Sequence, residues 1–357
     1  MNKQDLAYLK KGFKLESPLI TIDNLATVYM KKETGEIIAS QLPVYPILNQ
    51  DIQELYLKNV KKLMSGKILT NVFDLTFKSE SDDILENLTN IFRGENFEDN
   101  CNILINRIAQ SYNFDTDIVI NITRFTLNEK ENVFNFMACT INKIKSQKRE
   151  FVCDLTRQEF ETSYEQNPMI NITSPCDGFI YPSIEEKAPN VSNVLYYSSK
   201  KNDMNEQFID EVIGAIPVLT AGEERALFEE ILREVHGDSI PRNTLSNIYE
   251  RLETFKESYP LISSRSLKTI LIDISPDKTD EYNTVFDEKI DGSYDFLVDN
   301  LIPDFKSKSL CIINKDIDLS IAPETLTDFE FIEENGRKFL QIPIKETLVL
   351  NGFNLIE

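Results

Sequence analysis

The chain contains no tryptophan, a single histidine, 11 glycines and five cysteines in 357 residues. Each scarcity removes a class of chemistry. One histidine, His236, cannot build a histidine-based metal cluster, and a Ser-His-Asp or Cys-His system would have to use it. No GxSxG elbow is present to supply the nucleophile. Cys101, Cys139, Cys153, Cys176 and Cys311 are an odd number with no CxxC pair, so they read as free, buried thiols and not as zinc ligands or a disulfide framework. The glycines form neither a GxGxxG fingerprint nor a P-loop, and Gly66-Lys67 has no upstream glycine to complete one. No apolar run approaches the roughly 18 residues that span a bilayer. The opening MNKQDLAYLKKGFKLESP mixes charge with apolar residues and lacks the h-region of a signal peptide. The cytoplasm is the expected compartment, and neither membrane, cofactor, metal site nor catalytic residue is assigned.

What the chain does have is acid. Lys and Arg total 38 against 59 Asp and Glu, a net charge of −21, with 41% apolar and 10% aromatic residues. That composition buries enough apolar surface to fold. The charge is uneven: residues 1–150 carry 19 basic and 20 acidic side chains (net −1), whereas 151–357 carry 19 and 39 (net −20). Only the first part presents a basic surface without a repulsive background.

Hydrophobic patterning predicts an α+β protein: a mixed domain built on an antiparallel sheet, then a helical region and a small β-rich C-terminal tail. The domain boundary is expected at 175/176. In the first part, residues 3–13 read as a helix. LITIDNLATVYM and IIAS form a hairpin with Gly35 in the turn. Residues 48–64 form an amphipathic helix with Lys58, Lys61 and Lys62 on its polar side. KILTNVFDLTF is a strand, SDDILENLTNIF and FEDNCNILINRIAQSY are helices, and DIVINITRFTL pairs with NVFNFMACTINKIK across NEKE. Beyond it, DGFIYPSI and NVSNVLYYSS read as strands and MNEQFIDEVIGAI as a helix. Further helices follow in ERALFEEILREV, TLSNIYERLETFKESY and SRSLKTILID, and another is capped by Ser275-Pro276-Asp277 and runs through Phe286. The tail carries strand patterns with Asn335-Gly336 at a turn.

Two constellations are candidates for chemistry. Arg124, Lys143, Lys145, Lys148 and Arg149 gather on one hairpin with Phe125 and Phe136 interleaved; lysines contact phosphates and an exposed Phe stacks on a base. Pro276-Asp277 followed by Asp287-Glu288-Lys289 formally matches a PD…DxK metal-dependent nuclease, but its acids fall in a helical pattern where that motif uses strands.

The segments GFIYPSIEEKAPNVSNVLYYSSKKNDMNEQFIDEVIGAIPVLTAGEE, GRKFLQIPIKETLVLNGFNL and MNKQDLAYLKKGF resemble the bacterial domain-of-unknown-function family numbered 4317, nearly end to end. That resemblance brings no active site. More remotely, the order of elements is similar to the 37-kilodalton nucleoid-associated family, which implies a DNA-associated protein without catalytic chemistry. The expectation is therefore a protein that binds nucleic acid or a nucleoprotein complex through its N-terminal half. The alternatives are an interaction or oligomeric scaffold, in phage defence or its evasion, that takes a basic protein on its acidic half, and the nuclease.

Overall fold

The computed structural model describes residues 3–32, 34–79, 81–111, 115–129, 132–144, 150–154, 159–163, 171–237, 240–290, 294–302, 309–314, 317–321, 330–341, 349–350 and 353–354. The chain divides into two compact units, Met1–Thr220 and Ala221–Glu357. The division falls beyond 175/176 because the strands at 177–181 and 193–198 belong to the sheet of the first unit.

The first unit runs α1 (Lys3–Gly12), β1 (Ile20–Met30), β2 (Ile37–Gln41), α2 (Gln50–Leu63), β3 (Val72–Thr76), α3 (Asp82–Arg93), α4 (Phe97–Ser111), β4 (Ile118–Glu129), β5 (Asn132–Lys143), β6 (Glu150–Asp154), β7 (Glu159–Ser163), β8 (Asp177–Tyr181), β9 (Ser183–Glu185), β10 (Ala188–Asn190) and β11 (Asn193–Ser198). Seven strands form one antiparallel sheet in the order β2-β1-β4-β5-β8-β11-β3. Both predicted hairpins are present. Gly35, at φ 66°, turns β1 into β2, and its N–H donates to the Lys31 carbonyl at 3.0 Å. β4 pairs with β5 from Ile118↔Lys143 to Glu129↔Asn132.

Strand alternation sends successive side chains to opposite faces, and helices cover both. Ile118, Ile120, Ile122, Met137, Cys139 and Ile141 meet Leu88 and Ile91 of α3 and Leu104, Ile105 and Ile108 of α4. On the other face Phe125, Leu127, Phe136 and Ala138 meet Leu6, Leu9 and Phe13 of α1 and Val60 and Leu63 of α2. The result is a three-layer helix-sheet-helix sandwich. α2 starts on Asn49, whose Oδ1 accepts the Ile52 N–H at 2.9 Å, an N-cap that satisfies a free donor of the first turn. MNEQFIDEVIGAI, expected as a helix, forms a six-residue π-helical stretch, Phe208–Ile213, closed by Gly214 at φ 73°. Its wider turn puts Phe208, Ile209, Val212 and Ile213 all into the core against α4.

In the second unit, α5 (Ala221–His236), α6 (Arg242–Ser258), β12 (Leu261–Ser263), α7 (Ser264–Ile274), α8 (Thr279–Lys289), β13 (Asp295–Leu297) and α9 (Val298–Leu301) pack around Phe228, Ile231, Leu267, Leu271, Tyr282 and Phe296. Glu224 is fully buried there: its carboxylate accepts from Tyr294 Oη at 2.8 Å and Asn300 Nδ2 at 2.6 Å, while burial pushes its carboxyl above the usual range. Pro276–Lys278 forms a separate 3-10 turn, and Ser275 makes no side-chain cap, so α8 begins at Thr279. The tail contains three separate two-stranded pairs among the described residues: β14 (Ser309–Asn314) with β15 (Ile317–Ile321), β16 (Glu330–Glu334) with β17 (Arg337–Gln341), and β18 (Val349–Leu350) with β19 (Phe353–Asn354). Asn335 and Gly336, at φ 52° and 74°, make the turn between β16 and β17 as expected.

Candidate functional site

The hairpin residues singled out by sequence do not converge. Arg124 points at the C-terminal end of α3: its Nε donates to the Phe92 carbonyl at 2.9 Å, Nη1 to Asn24 Oδ1 at 3.3 Å and Nη2 to Asn135 Oδ1 at 3.4 Å. An ion pair to Asp23 at 3.4 Å completes its surroundings, with both side chains mostly buried. Burial raises the Asp23 carboxyl and the neighbouring guanidinium opposes that rise. The approach is close, because a Cβ at Gly94 would stand 3.0 Å from Arg124 Nε. Arg124 therefore satisfies a helix-end carbonyl that would otherwise lack a partner.

Lys143 lies six positions (143 − 137) along β5 from Met137, the cross-strand partner of Arg124, which is about 20 Å away. It is exposed and pairs with Asp115 at 2.7 Å, and this hydrogen bond holds the Asp115 carboxyl below its ordinary range. Phe125 and Phe136 are directly opposite one another, fully buried and stacked with centroids 5.4 Å apart, so neither offers a face to a base. Lys145, Lys148 and Arg149 lie outside the described residues. Lys58 is paired with Glu54 at 3.1 Å.

The nuclease constellation is not assembled either. Asp277 precedes α8, whereas Asp287 stands ten residues later (287 − 277), roughly 15 Å along the chain. Asp287 accepts from Lys268 at 3.4 Å, and Lys289 is held by Glu230 and Glu234, each at 2.7 Å. Among the described residues no group of three His, Cys, Asp or Glu is placed to hold a metal ion. His236, half-buried in the last turn of α5, shares a hydrogen bond at Nε2 with Tyr282 Oη at 2.7 Å; burial and nearby Lys278 lower its affinity for a proton. Cys101 and Cys139 are buried thiols, and burial pushes Cys101 up to about 12.

A surface that sequence reasoning passed over lies along residues 37–55. β2 is exposed at every position and occupies the outer edge of the sheet, with no described strand on its far side. Its sequence, IIASQ, has no charge and no proline. Ile37 and Ile38 are 40% and 49% exposed, and the segment that follows adds Leu42, Val44 and, at 81%, Ile47. Ile52 and Leu55 on α2 are also exposed. Beside them, Lys14, Leu15, Ile20, Ile22, Tyr45 and Pro46 line a groove of about 320 Å³. Exposed apolar residues scattered singly are ordinary, but five of them between Ile37 and Ile47, on an edge strand and the segment that follows it, are a concentration of the kind that marks an interaction site.

A family model for a domain of unknown function, DUF4317, matches residues 1–353. The chain belongs to this family. The DUF4317 match thus spans both units and the β-rich tail, and it says nothing of the nucleoid-associated proteins. No curated protein matches the chain. No helix among the described residues of this DUF4317 member is long and apolar enough to cross a membrane.

Proposed function

We propose that this DUF4317 protein is an interaction module that docks a protein partner on the apolar edge formed by β2, the 42–48 segment and α2. One observation carries the reading: an uncharged edge strand, exposed at every position, runs straight into an exposed apolar segment. An open strand edge presents unpaired N–H and C=O groups that template pairing with another chain, and flanking side-chain contacts give specificity. The charge division agrees, since the edge lies in the part of the chain with net charge −1.

The test places a photocrosslinking amino acid at Ile47 and, as a control, at Lys62 on the polar side of α2, in the full chain inside cells. A discrete adduct at Ile47 but not at Lys62, resistant to nuclease and identified by mass spectrometry as protein, is expected. No adduct at Ile47 overturns the reading. An adduct that nuclease removes moves attention to nucleic acid and to Lys143, Lys145, Lys148 and Arg149.

A further inference from the structure

We infer that the partner on this edge is a second copy of the chain, with two β2 strands pairing antiparallel about a two-fold axis and joining two seven-stranded sheets into one. This rests on the interaction reading above and deepens it.

The first support is self-complementarity. A two-fold interface requires that if one residue touches another, the reverse contact is made too. β2 meets that condition: small Ala39 and Ser40 stand at its middle, Ile37 and Ile38 at one end, and Gln41 leading to Leu42 and Val44 at the other. In an antiparallel pair the isoleucine end of one copy runs beside the Leu42 and Val44 end of its partner, so apolar surface covers apolar surface twice. The β1–β2 register shifts at Tyr29/Met30, which bends the N-terminal end of β2 and leaves residues 39–41 as the straight stretch for pairing.

The second support is charge. Like charges directly opposite one another across a strand pair are destabilising. Residues 37–48 contain no Asp, Glu, Lys or Arg, so no such pair forms. Of the devices by which proteins keep their edges apart, β2 carries the bulge at Ile38 but no lysine, no proline within the strand and no inward-pointing charge, so residues 39–41 remain for pairing. A chain of net charge −21 meets itself with least repulsion through such a stretch.

The third is area. A standard interface buries ~800 Å² per partner, and the exposed residues Ile37, Ile38, Leu42, Val44 and Ile47 supply its apolar part. Backbone pairing and a polar rim of Ser40, Gln41 and Gln50 supply the remainder.

The experiment measures the mass of the full chain by light scattering at about 50 µM and again after hundredfold dilution, since dimers dissociate by mass action. The expected result is twice the chain mass at the higher concentration. Ser40→Pro removes a backbone donor from the edge, and Val44→Asp sets two carboxylates in the apolar contact; each is expected to give the monomer. Val44 lies outside the strand, so Val44→Asp keeps the test decisive if Ser40→Pro disturbs folding. A dimer that persists in Val44→Asp overturns the inference, because its interface is then elsewhere. A wild-type monomer also overturns it. In that case a crosslink from Ile47 to a different protein leaves the interaction reading standing, whereas the absence of any crosslink ends both.

Discussion

The two edge strands of the sheet are finished in opposite ways. β3 has β11 on one side, and its other side is closed by the chain itself. The Leu69 N–H donates to the Val72 carbonyl at 2.8 Å, the Ile216 N–H to Thr76 at 2.8 Å, and Phe77 bridges Ala215. Val72, Phe73 and Leu75 are fully buried. β2 has β1 on one side and nothing described on the other, and all five of its residues are exposed. Both strands are five residues long and each holds three apolar residues, so neither length nor apolar content separates them. The difference lies in what the rest of the chain does: Leu69 and residues 215–216 bond to the ends of β3, whereas after β2 the chain leaves toward α2. A sealed edge serves the fold, and an unsealed apolar one is a surface for a partner.

The contrast is sharpest in stability. Phe73→Ala on the sealed side is expected to cost about 3–5 kcal/mol, and Ile38→Ser on the open side under ~0.5 kcal/mol in a monomeric background, both read by denaturant unfolding. A large loss at Ile38 would mean that the open edge is part of the core. Arg124→Ala comes next. It strips the Phe92 carbonyl of its donor and leaves Asp23 unpaired in a half-buried site, for an expected loss of about 2–3 kcal/mol. If Arg124→Ala instead leaves the melting curve unchanged and abolishes a DNA mobility shift, the arginine belongs to a binding face after all. A smaller effect is expected at Thr140, whose Oγ1 accepts from the buried Asn59 at 2.7 Å and ties α2 to β5. Thr140→Val should cost about 1–2 kcal/mol.

The second unit supplies the smallest effect. The His236 pKa is lowered in the fold, so between pH 6.5 and that lower value the unfolded chain binds a proton that the folded one refuses. Stability should fall as pH drops through this window, and His236→Phe should flatten that slope in a pH series of thermal melts.

Much of this architecture was legible in the residues. The β1–β2 turn rested on Gly35, the tail turn on Asn335-Gly336, and α2 on its 3.6-residue stripe, all of which are local signals. The near-continuous apolar run in DIVINITRFTL also carried information. It is the mark of a strand buried on both faces, which is why Phe125 is inside and Arg124 must find a partner in protein. That the partner is the Phe92 carbonyl depends on α3 ending over β4, a contact spanning 32 residues that periodicity does not encode. The order β8-β11-β3 was equally invisible, since it places residues 72–76 beside 193–197. The open edge was missed for a related reason: IIAS reads identically as a covered strand and as an open one.

The pairing of β3 with β11 has a consequence for synthesis. Tyr197, which pairs with Val72, leaves the ribosome 125 residues (197 − 72) after it. At about 5–20 residues per second this takes roughly 6 to 25 seconds. Throughout that interval the nascent chain carries VFDLT with no strand beside it, while β1, β2, β4 and β5 can already pair among themselves. The sheet therefore grows outward from its N-terminal hairpins and closes last at β3. The segment around Phe73 is thus one that a ribosome-bound chaperone has time to hold.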